Sequence, residues 1–380
     1  MTRVAHVITG LGVGGAELAM ARLVAALDPA GERTLVVSLS GDGPVAGRLR
    51  AAGVPVAALR ARGLGAPFAV AALARALRAW EPDVVQTWMY HADLLGGIAA
   101  RMVNAAPVAW NLRMSEPVKG VERGATRAVV ALNASLSRRL PHTIVCCSDA
   151  TLRAHAALGY DVGRMRVIPN GFAMPRDAPA RADARASLGL PPDALVVGRV
   201  GRWHPMKDHV TFLRAARLVV DAVPAVRFLL VGHGLEPDNA LARAAVAAAG
   251  LADHAVLAGT RDDMGAVYAA LDVLCSSSRS GEGFPNVIGE AMALGVPTVA
   301  TDVGESAAII GPHGVVVPPA DPDALAAGLL RVLRLPPGER DALGQAAQAR
   351  VRERYTMDQM AASYRSLYEE LAHVRHRRRR

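Results

Sequence analysis

Two series of short β-branched runs, alternating with Ala- and Leu-rich segments of helical spacing, constrain this chain more than any other feature. Parallel sheets covered by helices require that alternation, because two parallel strands can be joined only by a crossover of about a dozen residues. The first series predicts strands over 5–9, 34–39, 54–58, 83–87, 106–112, 143–146 and 165–168. The second predicts strands over 194–200, 226–231, 255–257, 273–275, 297–300 and 315–317. Between them, 169–192 is rich in Pro, Asp, Arg and Gly and reads as a linker. Beyond Leu335 only helix is expected. Its last piece, 357–373, keeps Met360, Ala361, Tyr364, Leu367, Tyr368 and Leu371 at helical spacing. A chain of 380 residues exceeds what one hydrophobic core supports. The fold class is therefore α/β, with two doubly wound parallel-sheet domains facing a cleft and no short internal repeat.

Composition removes several other classes. With 52% hydrophobic and 20% charged residues the chain is not disordered. No run of about 18 apolar residues exists that could span a bilayer, since even 66–80 is cut by Arg75 and Arg78. The opening Met1-Thr2-Arg3-Val4 runs straight into a strand pattern, with no signal-peptide h-region. Cys146, Cys147 and Cys275 cannot make a disulfide framework, so a reducing cytosol is expected. The net charge of +9 invites a nucleic-acid reading. The basic residues lack interleaved stacking aromatics, however, and no nucleic-acid partner is expected. The one dense basic run, Arg375-His376-Arg377-Arg378-Arg379-Arg380, reads as a solvated tail or as a contact for an anionic membrane leaflet.

Three motifs carry chemistry. Gly10-Leu11-Gly12-Val13-Gly14-Gly15-Ala16-Glu17 follows a strand and opens a helix, and its letters fit a dinucleotide fingerprint. The second strand ends in Val37-Ser38-Leu39-Ser40, with Asp42 only in the loop beyond, so the acid that would hold a ribose is missing. What remains is either a helix start open to a phosphate or sugar, or a plain tight turn. Next, Gly201-Arg202-Trp203-His204-Pro205-Met206-Lys207-Asp208 places two cations at the carboxyl end of a parallel strand, where such sheets bind ligands. A planar Arg fork and a mobile Lys suit a diphosphate, unless Lys207 is only a solvated helix-start residue. If the pair does hold a diphosphate, Lys207→Ala should lose most turnover and leave folding unchanged. Finally, Ser280-Gly281-Glu282-Gly283-Phe284-Pro285-Asn286-Val287 leads into a helix that carries Glu290. Eight residues of helix rise put Glu282 and Glu290 about 12 Å apart, wider than a glycosidase acid/base pair. They can bracket a long ligand whose phosphates meet the amides of 284–287. The alternative is a loop-surface Glu282 and a Glu290 on a polar helix face.

The ordered set of these motifs, with Val167-Ile168-Pro169-Asn170-Gly171 and Val231-Gly232-His233-Gly234, resembles the retaining glycosyltransferases of the GT-B fold in glycosyltransferase family 4, glycosyl transferases group 1. The resemblance runs over about residues 4 to 370. It implies a Rossmann-like acceptor-side domain (1–172), a linker (173–192) and a nucleotide-sugar domain (193–354). A C-terminal helix (355–373) would pack back on the first domain, ahead of a basic tail (374–380). It also implies roles. Glu282 and the amides of Gly283 and Phe284 would hold the donor sugar, and Glu290 the ribose hydroxyls. Arg202 and Lys207 would neutralise the diphosphate, with the helix start at Pro285 adding the amides of Asn286 and Val287. Thr260, Arg261 and Asp262 would bracket the base. Gly15 would approach the phosphate when the cleft closes, and His91 would reach the sugar from the first domain.

The implied reaction moves a hexosyl group from a nucleotide sugar to an acceptor hydroxyl with retention, in cell-surface polysaccharide or glycoconjugate synthesis. UDP-sugar is favoured over GDP-sugar, and the acceptor is a sugar or lipid-linked sugar. The departing diphosphate would help deprotonate the acceptor, and cleft closure would exclude water. No metal or other cofactor is expected, since no Asp-x-Asp stands at a strand end. Two departures from the family pattern stand out. Arg113, in Asn111-Leu112-Arg113-Met114, occupies the place of a common His and would grip an anionic acceptor or the diphosphate instead of acting as a base. Asn170-Gly171-Phe172-Ala173 lacks the usual linker acid. The segment 121–140 reads as an amphipathic helix lying on the sheet, or as one on a membrane surface where the protein would act peripherally at the inner face. The competing functions are a sugar-nucleotide 2-epimerase of the same architecture and a non-catalytic nucleotide or nucleic-acid binder.

Overall fold

The computed structural model describes residues 2–59, 65–104, 106–115, 124–174 and 178–379, with side chains as far as 375. The chain divides into two units, Met1–Gly171 with Met357–Arg380, and Phe172–Thr356.

The first unit is built on seven strands: β1 (Val4–Ile8), β2 (Thr34–Ser38), β3 (Val56–Ala58), β4 (Val84–Trp88), β5 (Val108–Leu112), β6 (Thr143–Cys146) and β7 (Met165–Val167). They lie parallel in the order β3-β2-β1-β4-β5-β6-β7. The second unit has six: β8 (Val196–Val200), β9 (Arg227–Val231), β10 (Ala255–Leu257), β11 (Val273–Ser276), β12 (Thr298–Thr301) and β13 (Gly314–Val317). Their order is β10-β9-β8-β11-β12-β13, again all parallel. Every predicted run becomes a strand, with ends displaced by no more than two residues.

The central strands β1, β2, β4, β5 and β8 are buried at every position, as expected for parallel strands covered on both faces. On one face of the first sheet lie Val70, Leu73 and Leu77 of the helix Ala66–Trp80. On the other lie Met20 and Leu23 of the helix Gly15–Leu27, beside Tyr364, Leu367, Tyr368 and Leu371 of the last helix, Met357–Arg379. The apolar stripe of that last helix thus covers the first unit's sheet. Tyr364 OH also accepts a hydrogen bond from Asn111 Nδ2 on β5, at 2.8 Å.

Two expectations change. The stretch read as a linker contains the helix Arg181–Ser187, which packs into the second unit: Ala184, Leu188 and Leu190 join Val196, Leu229 and Tyr268 in one apolar cluster. Arg185 and Arg181 of that helix both bind buried Asp272, at 2.8 and 3.2 Å, and Arg340 lies 3.5 Å from the same carboxylate. The basic tail is not wholly solvated either, because Arg375 is buried and donates to Pro82 O and to Asp83 Oδ1.

Of the proposed membrane-facing segment, 124–140 is described, beginning with the helix Gly124–Leu136. Val129, Val130, Leu136 and Leu140 pack on the first core, the sheet-covering alternative, while Leu132 stays exposed. Arg123 lies outside the described residues. No helix among the described residues is long and apolar enough to cross a membrane.

In each sheet the strand order reverses beside its first strand, between β1 and β4 and between β8 and β11. Loops at the carboxyl ends of those strands flank the crevice where doubly wound sheets bind ligands. The motifs singled out in the sequence fall on these loops.

Candidate functional site

In the second unit the site begins where β8 ends. Gly201 turns at φ 149°, and the backbone of 201–203 runs against that of 231–233, with Gly201 N donating to Val231 O and Trp203 N to His233 O. A side chain on Gly232 would lie 2.5 Å from Gly201 O, so only glycine allows this approach. Pro205–Lys207 then makes a single 3-10 turn. It closes on Asp208, a non-glycine residue at φ 49° whose carboxylate caps the helix His209–Ala222 through Thr211 N.

Lys207 Nζ points back across the switch point to Glu282, 2.5 Å from Oε1. Ser278, just beyond β11, donates to the same oxygen at 2.6 Å, and Thr301 at the end of β12 holds the Ser278 carbonyl. The side chains of Lys207 and Glu282 are only 21% and 14% exposed. Burial pushes the Glu282 carboxyl up, but Lys207, Ser278 and the nearby Arg199 together more than offset this and hold it below its usual range. Glu282 is thus a carboxylate at neutral pH, able to accept hydrogen bonds and unsuited to donate a proton.

Under this contact lies a group that the motifs did not reveal. Arg199, on β8, has no exposed surface. Its Nε donates to Ser277 Oγ, its Nη1 to Val200 O and its Nη2 to Lys207 O. Gly304 is a second such residue. At φ 63° it passes so close that an added Cβ would sit 2.0 Å from Glu282 O. Nothing in a one-dimensional pattern marks either.

Glu290 stands in the helix Asn286–Ala293, whose N-cap is Pro285, and Val287 occupies its first turn. Tyr268 OH donates to Glu290 Oε2 at 2.7 Å. Tyr268 belongs to the helix Met264–Ala269, which follows Thr260, Arg261 and Asp262, so one hydroxyl ties the expected base loop to the expected ribose carboxylate. Arg261 itself is folded onto Asp263, at 2.8 Å, on the surface. Gly283 precedes Phe284, a buried ring that stacks on Phe172 at 6.0 Å and meets Tyr355 edge-on. Arg202 is exposed and makes no side-chain hydrogen bond among the described residues, leaving its fork available. Its carbonyl receives Nε2–H of His209, which burial lowers to a pKa of about 3 and which is therefore neutral.

In the first unit the helix Gly15–Leu27 starts at an extended Gly14 with no side-chain cap. The Glu17 carboxylate folds back there, however, within 2.4 Å of where a Gly14 Cβ would stand. An anion approaching Gly15 must displace it. His91 occupies the first turn of the helix Tyr90–Met102, after Met89 at φ 72°. That turn is anchored from below. Asn133 Nδ2 donates to Tyr90 O, and buried Asp93 accepts from Thr87 Oγ1 at 2.5 Å. Burial pushes the Asp93 carboxyl well above its usual value, against the hydrogen bonds it accepts from Thr87 and from the Asn111 backbone. Arg113 is not waiting for an acceptor. It donates to Asn170 Oδ1, and its guanidinium lies 5.5 Å over the Trp88 ring.

The structure therefore brings together Lys207, Ser278, Glu282, Arg199 and Gly304, and separately Tyr268 with Glu290. Gly15, His91 and Arg113 belong to the first unit. Among the described residues no three His, Cys, Asp or Glu side chains converge to hold a metal.

Comparison with known proteins finds two family models: glycosyltransferase family 4 over residues 13–174 and glycosyl transferases group 1 over 191–334. The 2-deoxystreptamine N-acetyl-D-glucosaminyltransferase of Streptomyces fradiae is 30% identical over 347 residues, covering 82% of this chain and 81% of that protein. A D-inositol 3-phosphate glycosyltransferase of Segniliparus rotundus is 35% identical over 218 residues, 54% of this chain and 48% of the relative. The chain thus spans about half the length of that second relative. Among solved structures, Anabaena Alr3699/HepE in complex with UDP-glucose superposes with a TM-score of 0.83 at 21% identity, over 98% of this chain and 100% of the other. That likeness fixes the fold.

Proposed function

The chain belongs to glycosyltransferase family 4, the glycosyl transferases group 1, and from that premise we propose that it moves a hexosyl group from a nucleoside diphosphate sugar to an acceptor hydroxyl, with retention at the anomeric carbon. The observation that carries this reading is the Lys207–Glu282 contact across the β8/β11 switch point. It sets a cation suited to a diphosphate beside a carboxylate suited to sugar hydroxyls, on loops where the fold presents ligands.

Without substrate each group satisfies the other. On binding, the diphosphate takes the ammonium of Lys207 and the free fork of Arg202, and Glu282 turns its oxygens to the hexose hydroxyls. Glu290, oriented by Tyr268, takes the ribose, and the start of the helix Asn286–Ala293 adds its dipole to the phosphates. Charge then grows on the departing diphosphate as the glycosidic bond breaks. Preorganised donors at such a position are each worth about 3–4 kcal/mol of barrier. Glu282, held as a carboxylate, supports positive charge on the ring and does not protonate the leaving group. An oxygen of the departing diphosphate takes the acceptor proton on the same face, which gives retention.

The two cations and helix amides do the work that a metal does elsewhere, so a chelator should leave turnover intact. Uridine as the base is supported by the structural neighbour solved with UDP-glucose. Acceptors with sugar or cyclic polyol hydroxyls fit the names of the two relatives, which carry D-inositol 3-phosphate and 2-deoxystreptamine. Three buried free cysteines support a reducing cytoplasmic setting, with any contact at an anionic leaflet peripheral.

The test is a thermal-shift screen over nucleoside diphosphates and their sugars, followed by product analysis with and without acceptor. A nucleoside diphosphate raises the midpoint, and a new glycoside with retained configuration forms only when acceptor is present. No shift with any nucleotide, or an epimerised sugar from donor alone, refutes the proposal.

A further inference from the structure

Arg199 sits on a strand whose neighbouring positions Val196, Val197 and Val200 are apolar and buried, and a parallel strand covered on both faces would accept another aliphatic residue there. A guanidinium in that place is costly unless its donors are answered, and the answers it finds are specific. One donor goes to its own strand. The other two leave the sheet, to the carbonyl of Lys207 and to the hydroxyl of Ser277. Ser277 Oγ in turn lies 3.0 Å from Lys207 O and 3.2 Å from Asp208 O. Ser277 is next to Ser278, which holds Glu282. One buried fork therefore joins the turn that carries Lys207 to the loop that carries Glu282. It also underlies the strained left-handed backbone of Asp208, a conformation that persists only where its surroundings over-determine it. The space beneath Gly201 is filled by the same group, since a Cβ there would stand 3.1 Å from Arg199 Nη1.

We propose that Arg199 is a positioning residue for the diphosphate: its planar fork fixes the Lys207 main chain and, through Ser277, the Glu282 loop, so that the ammonium, held on Glu282 until substrate arrives, needs only to turn to meet the phosphates. This inference rests on the transfer reading above. Arg199 does not touch substrate and acts through Lys207. A packing residue would affect all ligands of the unit alike. A positioning residue for Lys207 affects the diphosphate and spares the nucleoside.

The test is calorimetric titration of UDP against UMP, and of GDP against GMP, into the full chain and its variants. In the wild type the diphosphate binds at least about tenfold tighter than the monophosphate, the size of one charge-assisted contact. In Arg199→Met that ratio falls by about threefold or more, the share that Lys207 adds to the contact made by Arg202, while monophosphate affinity stays within about twofold of wild type. Arg199→Lys, which keeps the charge and loses the fork, behaves like Arg199→Met. An unchanged ratio in Arg199→Met, full recovery in Arg199→Lys, or parallel loss of both nucleotides each overturns the proposal. Should Arg199→Met not fold, Ser277→Ala decides: it severs the same link and lowers the ratio about threefold, and an unaltered ratio there is refuting. Silence of the wild type toward every nucleotide is a different result, because it removes the transfer reading and this inference together.

Discussion

Replacing Lys207 by alanine leaves Glu282 behind, and that residue sets the magnitude. Losing one partner of a fully buried ion pair costs about 3–5 kcal/mol, whereas an exposed pair is worth about 0–1 kcal/mol. Glu282 lies between these limits. Its side chain is 14% exposed, and it keeps the Ser278 hydrogen bond at 2.6 Å. A loss of about 2 kcal/mol at neutral pH follows, or a midpoint lower by about 4–8 °C for a unit of this size. Sequence alone treats Lys207 as a loop cation whose loss spares the fold, so the structure changes that expectation. Turnover should fall by about 10²–10³ as well, since a leaving-group donor is gone.

The pH dependence separates this mechanism from a general loosening of the loop. In the wild type the folded Glu282 carboxyl lies below its unfolded value of 4.5. A depressed acid stabilises above the unfolded pKa, and that contribution fades as pH falls through the folded one. In Lys207→Ala the largest opposing influence is gone, burial dominates, and the folded pKa rises above the unfolded one. The ionised carboxylate is then a penalty, present at pH 7–8 and relieved as Glu282 takes up a proton. The deficit of the variant against wild type, measured by urea unfolding from pH 4 to 8, should therefore shrink steadily towards pH 4. Adding Glu282→Gln to Lys207→Ala should recover part of the loss at pH 7. A deficit that is flat with pH, or absent at pH 7, would refute the argument.

Three other perturbations address different contacts. Gly304→Ala puts a methyl group 2.0 Å from Glu282 O at a backbone angle that disfavours side chains, so the Glu282 loop must move. kcat/KM for the donor should drop about tenfold or more, and a value within twofold of wild type would show that the loop tolerates the shift. Tyr268→Phe removes the hydroxyl that orients Glu290 and should weaken nucleoside diphosphate binding about fivefold by titration, the equivalent of one neutral hydrogen bond. Gly289→Ala pits helix propensity, which favours alanine by about 1 kcal/mol, against a Cβ only 2.0 Å from the buried Phe172 ring. Overpacking of about 2–3 kcal/mol should win, lowering the midpoint, and a raised midpoint would contradict the packing.

What the sequence disclosed and what it withheld have the same physical origin. Strands buried on both faces read as continuous β-branched runs, and amphipathic helices repeat every three or four residues, so β1 to β13 and the covering stripe of Tyr364, Leu367 and Leu371 leave local periodic marks. A doubly wound sheet then dictates that loops after β8 and β11 meet, but it was the resemblance to the family that put Arg202, Lys207 and Glu282 in one site. Whether a charge on such a loop is free or already engaged is decided by partners far along the chain, and no local pattern records them. Lys207 and Glu282 are 75 residues apart, Arg185 and Asp272 87. Glu17 folded over Gly14, Arg113 bound to Asn170 and Arg199 locked beneath Lys207 all read in one dimension as available polar residues. Of the charges singled out in the sequence, Arg202 alone is both exposed and unengaged among the described residues, which makes it the first group an incoming diphosphate meets. Lys207 must exchange one anion for another, so its contribution to affinity is the difference between two ion pairs. Arg202→Ala should accordingly weaken nucleotide binding more than Lys207→Ala does, while Lys207→Ala costs more in turnover, and the reverse order in titration and kinetics would show that Glu282 does not hold the lysine in reserve.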